Sequence, residues 1–257
     1  VLEDALSTLA TERVVVRAAG RTDTGVHARG QLVSSTFTTR VPRNKMVLAA
    51  ATRLPEDLSI LQADVVADGF DARRDSIAKR YVYRIHNDPA PDPLLGSLRW
   101  HLRTPLNVAR MQAAAPALVG ELDFEAFRAA DCQAAHARRY LWRVDVTEQR
   151  PLIEIEVRGN AFCRNMVRII AGTLVDIGRG RLPEDALPAI LASRDRTRAG
   201  VTAPPEGLTM EEVYLPEDAA RAGIPADARF PGWPPAPRAQ DGVAGDDAAA
   251  DDVADDA

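Results

Sequence analysis

The sequence predicts an α+β fold of two similar halves, each a mainly antiparallel sheet with helices on one face. Segments of strand and helix period alternate irregularly, and successive strands lie close enough in sequence to pair antiparallel. The same style of segments recurs on both sides of a Pro-rich stretch at residues 89–93. No G-x-G-x-x-G or Walker loop occurs, which argues against a doubly wound parallel sheet.

The elements follow in order. Leu2, Ala5, Leu6 and Leu9 recur at helical spacing, so the chain begins within an amphipathic helix. The β-branched run Val14-Val15-Val16 reads as a short strand. Residues 20–25 form a polar loop bounded by glycines. Residues 31–39 are β-rich, and 44–53 look helical up to the stop at Leu54-Pro55. Residues 58–66 and 77–86 read as strands, and the prolines at 89–93 mark a loop between the halves. In the second half, 107–119 is helical, 139–147 and 152–158 are strands, 161–177 is a long helix, 185–192 another helix and 211–215 a last strand.

Composition narrows the class. The chain has 257 residues, 46% hydrophobic and 27% charged, enough to build a sizeable core and incompatible with wholesale disorder. No apolar run approaches the roughly 18–20 residues of a membrane-spanning helix. Residues 1–10 carry two acids in an amphipathic stretch, unlike a signal peptide. Cys132 and Cys163 are too few and too far apart in sequence for a disulfide framework or a cysteine zinc site, which points to a reducing, cytoplasmic setting. The formal charge of −5 argues at face value against nucleic acid, but it is unevenly placed. Residues 217–257 hold 10 acids and 3 arginines among Pro, Ala and Gly, and read as a disordered acidic tail. Residues 1–216 carry a net +2, and Lys45 and Lys79 are their only lysines. The arginine bias matches genomic base composition, and arginine also suits phosphate binding and base stacking.

Three segments stand out for chemistry. In Ala19-Gly20-Arg21-Thr22-Asp23-Thr24-Gly25-Val26-His27 a strand leads into a tight loop that holds a carboxylate between glycines. Such a carboxylate either bonds its own turn or, on a rigid scaffold, serves as a reactive group. Asp23-Thr24-Gly25 also spells the aspartic-protease triplet, but no second such triplet exists to share the proton. In Lys79-Arg80-Tyr81-Val82-Tyr83-Arg84, strand alternation puts Lys79, Tyr81 and Tyr83 on one face and Arg80 and Arg84 on the other. That interleaving fits base stacking beside phosphates, and equally an ordinary sheet face. In the helix from residue 161, Phe162, Met166, Ile169, Ile170, Thr173, Leu174 and Ile177 fall in one arc. Arg164 and Arg168 lie opposite, either solvated or facing a cleft.

Together these segments resemble one family, the tRNA pseudouridine synthases of the TruA type. The family's G-R-T-D-x-G-V-H signature is met by residues 20–27, its basic-x-Y-x-Y/F strand by 79–83 and its N-x-F-x-x-x-M-V-R helix by 160–168. Phe70-Asp71-Ala72-Arg73, Leu54-Pro55-Glu56-Asp57 and Pro204-Pro205-Glu206-Gly207-Leu208 also fit, so the resemblance covers about residues 1–216.

The resemblance implies a pseudouridine synthase fold with a catalytic cleft between an N-terminal half, 1–105, and a C-terminal half, 106–216. It implies isomerisation of uridine to pseudouridine at positions 38–40 of the tRNA anticodon arm, by a homodimer that uses no cofactor or metal and has neither DNA nor membrane as partner. Asp23 is then the essential carboxylate, as nucleophile at C1′ or base at C2′, acting on a base flipped out of the RNA. Arg168 is its candidate counter-charge. Tyr81 stacks on the uracil or takes the C5 proton, and Arg21 contacts RNA beside the flipped nucleotide. One family landmark, a D-G-x-x-Y/F-x-G-W-Q-type segment on a first strand, has no match, so the chain is expected to lack that strand. The alternative is a catalytically silent RNA-binding protein on the same scaffold.

Overall fold

Residues 1–230 are described in the computed structural model. The helices are α1 (Leu2–Ser7), α2 (Met46–Ala51), α3 (Ala72–Asp75), α4 (Val108–Ala114), α5 (Met166–Gly178), α6 (Ala186–Ser193) and α7 (Ala219–Ala222). The strands are β1 (Arg17–Ala18), β2 (His27–Ala28), β3 (Val33–Ser34), β4 (Ala78–Asn87), β5 (Trp100–Leu102), β6 (Gly120–Asp123), β7 (Arg138–Gln149), β8 (Leu152–Gly159) and β9 (Leu208–Tyr214). One seven-stranded sheet runs β2-β9-β4-β8-β7-β6, with β5 beside β4, and β1 pairs with β3 in a separate ladder. The pairing is antiparallel except for β2 with β9 and β4 with β5. The α+β class therefore stands. The strand β4, from the 1–105 segment, lies between β8 and β9 of the later chain.

Period-two patterning builds this sheet. Along β8, Ile153, Ile155 and Val157 are buried, while Glu154, Glu156 and Arg158 turn the other way. On β4, Tyr81, Tyr83 and Ile85 join the same core, which α4 and α5 cover. The opposite face carries ion pairs instead: Arg80 to Glu156 at 2.6 Å, Arg84 to Glu154 at 2.8 Å and to Glu211 at 2.7 Å. Pairs across adjacent strands are the unit that fixes a sheet's register.

Several expectations are corrected. Val14, Val15 and Val16 are not in a ladder. The backbone N–H of Val14 donates to Ser7 Oγ and that of Val16 to Glu3 Oε1, both at 2.9 Å, so side chains of α1 satisfy them. Residues 58–66 join no sheet among the described residues, and Leu61 and Val65 stay exposed, because strand propensity is realised only beside a partner edge. The β-rich stretch 31–39 reduces to β3 and a bridge from Thr39 to Ala10. Helix 44–53 shortens to a 3₁₀ turn, Arg43–Lys45, followed by α2. Helix 107–119 tightens after α4 into a 3₁₀ turn, Ala115–Leu118, where Pro116 has no N–H to offer. The last strand begins earlier, at Leu208.

The acidic segment 217–257 is packed at its start. Trp142 Nε1 and Arg158 Nη1 donate to the carbonyl of Ala222 in α7, Ala222 is buried, and the Phe230 ring stacks on Tyr140. Ala222, Ile224 and Phe230 supply the apolar contacts that the charge of this segment obscured. Its remainder, 231–257, lies outside the described residues.

Candidate active site

The loop that carries Asp23 is anchored at both ends. The N–H of Ala19 donates to the Leu32 carbonyl at 2.9 Å, and Gln31 Nε2 donates to the Gly20 carbonyl at 2.6 Å. The turn closes through the Val26 N–H on the Asp23 carbonyl at 3.0 Å. Gly25 sits at φ +83°, a conformation open to glycine, and a Cβ there would come within 3.0 Å of Pro205. The chain then enters β2, whose parallel pairing with β9 ties the loop to the main sheet.

Opposite the loop stands the start of α5. The helix begins at Met166 rather than at residue 161. Asn160 spends its side chain on the Tyr140 N–H at 3.0 Å, and Asn165 lies in the left-handed region at φ 61°, which stops helical propagation toward the N-terminus. Gly172 lets the segment around Val201 close on the helix. A Cβ at that position would lie 1.8 Å from the Val201 carbonyl oxygen. The close approach lets the Ala203 N–H donate to the Arg168 carbonyl at 3.1 Å, and Arg168 Nε donates back to the Ala203 carbonyl at 2.7 Å.

These anchors aim two guanidinium groups at one carboxylate. Arg168 Nη1 reaches Asp23 Oδ2 at 3.3 Å, and Arg164 Nε lies 3.7 Å from Asp23 Oδ1. The two are unequal. Arg168 is 14% exposed, approaches Asp23 more closely, and is itself held by Asn165 and the Ala203 carbonyl. Arg164 is 52% exposed and shares its charge with Asp131, so its contribution is about 1 kcal/mol or less. Arg168 is the main counter-charge.

Tyr81 completes the group. Its ring is buried and meets Phe162 edge-on, with centroids 5.0 Å apart. Burial, and then the charge of Asp23, push its hydroxyl above the ordinary phenol range. A phenol held protonated offers a stacking face and a hydrogen-bond donor rather than a base. Tyr83, two residues on, is structural: its hydroxyl donates to the Pro204 carbonyl at 2.8 Å.

The structure thus brings Asp23, Tyr81 and Arg168 together. Arg21 is not part of the cluster: it is exposed, with no ion pair among the described residues. Two further residues join the site: Arg164, which the sequence left either solvated or facing a cleft, and Asn165, which it did not single out. Arg164 lies in the turn just before α5, not on the helix, and nothing in its spacing names its partner. Asn165 accepts from Arg168 Nη1 at 2.9 Å through its Oδ1, although a residue at a helix start ordinarily spends its side chain on the helix N–H groups. Cys132 and Cys163, distant in sequence, meet here as free thiols, and the Arg164 N–H donates to Cys132 Sγ at 3.4 Å.

Asn165 yields a first prediction. Asn165→Gly keeps the left-handed backbone and removes the acceptor, so kcat should fall about 10-fold, the scale of a hydrogen bond to a charged group, with KM little changed. Asn165→Ala should show the same kinetic loss plus a lower thermal midpoint from left-handed strain of about 1 kcal/mol. Unchanged kcat in the glycine variant would show that the hydrogen bond is not used.

Among the described residues no helix is long and apolar enough to cross a membrane, and no group of three His, Cys, Asp or Glu side chains is placed to hold a metal ion. Residues 114–216 match the tRNA pseudouridine synthase family. A tRNA pseudouridine synthase A of Myxococcus xanthus is 44% identical over 233 residues, 90% of this chain and 85% of that protein. The tRNA pseudouridine synthase A proteins of Pelobacter propionicus and Moorella thermoacetica are each 44% identical, over 83% and 81% of this chain and 87% and 85% of their own lengths.

Proposed function

The chain belongs to the tRNA pseudouridine synthase A family, and on that premise we propose that it isomerises uridine to pseudouridine in the tRNA anticodon arm, at positions 38–40, with Asp23 as the essential carboxylate. The observation that supports this reading is the Asp23 carboxylate with a guanidinium facing each oxygen, beside the Tyr81 ring.

The reaction breaks the N1–C1′ bond of uridine, turns the uracil over and joins C5 to C1′. The base must leave its stack to be reached, as in other enzymes that act on a nucleobase. Asp23 then serves either as nucleophile at C1′ or as base toward the C2′ proton, and both roles need it ionised. Arg168 faces one carboxylate oxygen and holds the carboxylate's orientation through its own bonds to Asn165 and Ala203. Tyr81 offers the uracil a ring already fixed by Phe162, and its protonated hydroxyl suits stacking and donation better than uptake of the C5 proton. Arg21, on the exposed rim of the loop, contacts the RNA beside the flipped nucleotide. Family membership supports a homodimer working in the cytoplasm.

The test is tritium release from tRNA transcribed with C5-tritiated uridine, followed by mapping of the product. Tritium loss with pseudouridine confined to positions 38–40 is the expected result. Binding of tRNA without tritium loss would favour a silent RNA-binding protein, and product elsewhere would overturn the site assignment on the tRNA.

A further inference from the structure

On the same sheet face as Tyr81, one turn of the pleat earlier, lies a cation that the mechanism does not use. The stem of Lys79 packs beneath the first glycine of the Asp23 loop, so close that a Cβ on Gly20 would stand 3.1 Å from Lys79 Cε. Its ammonium donates to Ser76 Oγ at a long 3.4 Å and makes no ion pair among the described residues. Its neighbours on β4 behave differently: Arg80 and Arg84, on the other face, each pair with carboxylates.

The carboxylates of the adjoining helix α3 are already engaged. Asp71 pairs with Arg17 at 2.8 Å and accepts from the N–H groups of Arg73 and Arg74, and Asp75 pairs with Arg74 at 3.2 Å. Arg73, whose charge is felt at Lys79, has no ion pair among the described residues. Burial first, and Arg73 second, pull the Lys79 ammonium down to about 8. Among the described residues two positive charges therefore stand without an ion pair, Arg73 exposed and Lys79 half-buried beneath the Asp23 loop. Burying an unpaired ammonium destabilises a protein, so the arrangement is explained by an anion that arrives with a ligand.

We propose that Lys79, Arg73 and the Ser76 hydroxyl form a subsite for one backbone phosphate of the substrate RNA, beside the Asp23 pocket. The donor set suits a phosphodiester: an ammonium, a guanidinium fork and a hydroxyl. Gly20 precedes Asp23 by three residues and Lys79 precedes Tyr81 by two, so a phosphate held here sets the register of the strand whose uridine enters the pocket. The proposal rests on the RNA-modifying reading above.

The test measures binding of an unmodified tRNA transcript to the full chain and to Lys79→Met, Arg73→Ala and the double variant, across a range of salt. Each single variant should bind about 10-fold more weakly at low salt. The log–log salt slope should drop by about 0.7–0.9 for each phosphate that the variant no longer neutralises. Lys79→Met should keep or raise the thermal midpoint, because it removes a half-buried charge that has no ion pair among the described residues. Unchanged salt slopes in Lys79→Met and Arg73→Ala would overturn the subsite. So would an affinity loss in Lys79→Met that comes with a lower midpoint while exposed Arg73→Ala binds normally, since that pattern marks a structural lysine. Tritium release by the wild type is run alongside. If it is absent, the reaction assignment fails, whereas normal release with unchanged slopes removes the phosphate subsite alone.

Discussion

Asp23→Asn should yield a folded protein that still binds tRNA and releases tritium from C5 of uridine on the order of 10³-fold more slowly than wild type. Asparagine keeps the shape of the side chain, and the turn around it is closed by the Asp23 carbonyl rather than by its carboxylate. What disappears is the negative charge that two guanidinium groups face. Both routes for the reaction, attack at C1′ and proton removal at C2′, require an anionic oxygen, which an amide cannot supply. Arg168 keeps its bonds to Asn165 and Ala203, so the stability change should stay within about 1–3 kcal/mol. The measurement is tritium release under single-turnover conditions, with Kd for tRNA taken separately. Turnover within 10-fold of wild type would remove Asp23 from its role.

Arg168→Ala should lower kcat by about 10²–10³-fold while changing the Kd for tRNA by less than about 3-fold. Arg168 is the closer and less exposed of the two guanidinium groups, and Arg164 on the other carboxylate oxygen recovers part of what its removal costs. Alanine also strands the Ala203 carbonyl, at a residue with no exposed surface, so the thermal midpoint should drop by the equivalent of about 1–3 kcal/mol. Arg168→Lys separates charge from geometry. A lysine keeps the positive charge but cannot bond Asn165, Ala203 and Asp23 in one plane, so activity should recover only in part. If Arg168→Ala weakens tRNA binding and leaves kcat intact, Arg168 serves as a phosphate ligand and the counter-charge role falls.

Some of this architecture is legible residue by residue. The alternation in 79–84 separates the Tyr81 and Tyr83 face from the Arg80 and Arg84 face because side-chain direction in a strand follows from position alone. The stretch 152–158 forms β8 for the same reason. Segments whose structure depends on a distant partner are less legible. Residues 58–66 have strand composition but join no sheet among the described residues, and Val14 and Val16 satisfy their N–H groups on side chains of α1. The start of α5 falls at Met166 because Asn160 bonds a strand 20 residues away, which no helical period records.

Residue types and their spacing point to the α+β class and the family, because both are local properties of the chain. Which candidate side chains meet depends on how the chain folds back on itself. The fold set Arg168 on Asp23 across 145 positions of chain, added Arg164 and Asn165 to the group and left Arg21 outside it. The physical reason is that a carboxylate's environment is made by groups within a few ångströms. Here that distance is set by packing around Gly25 and Gly172, where a glycine allows two segments to approach closely enough for the charges to meet.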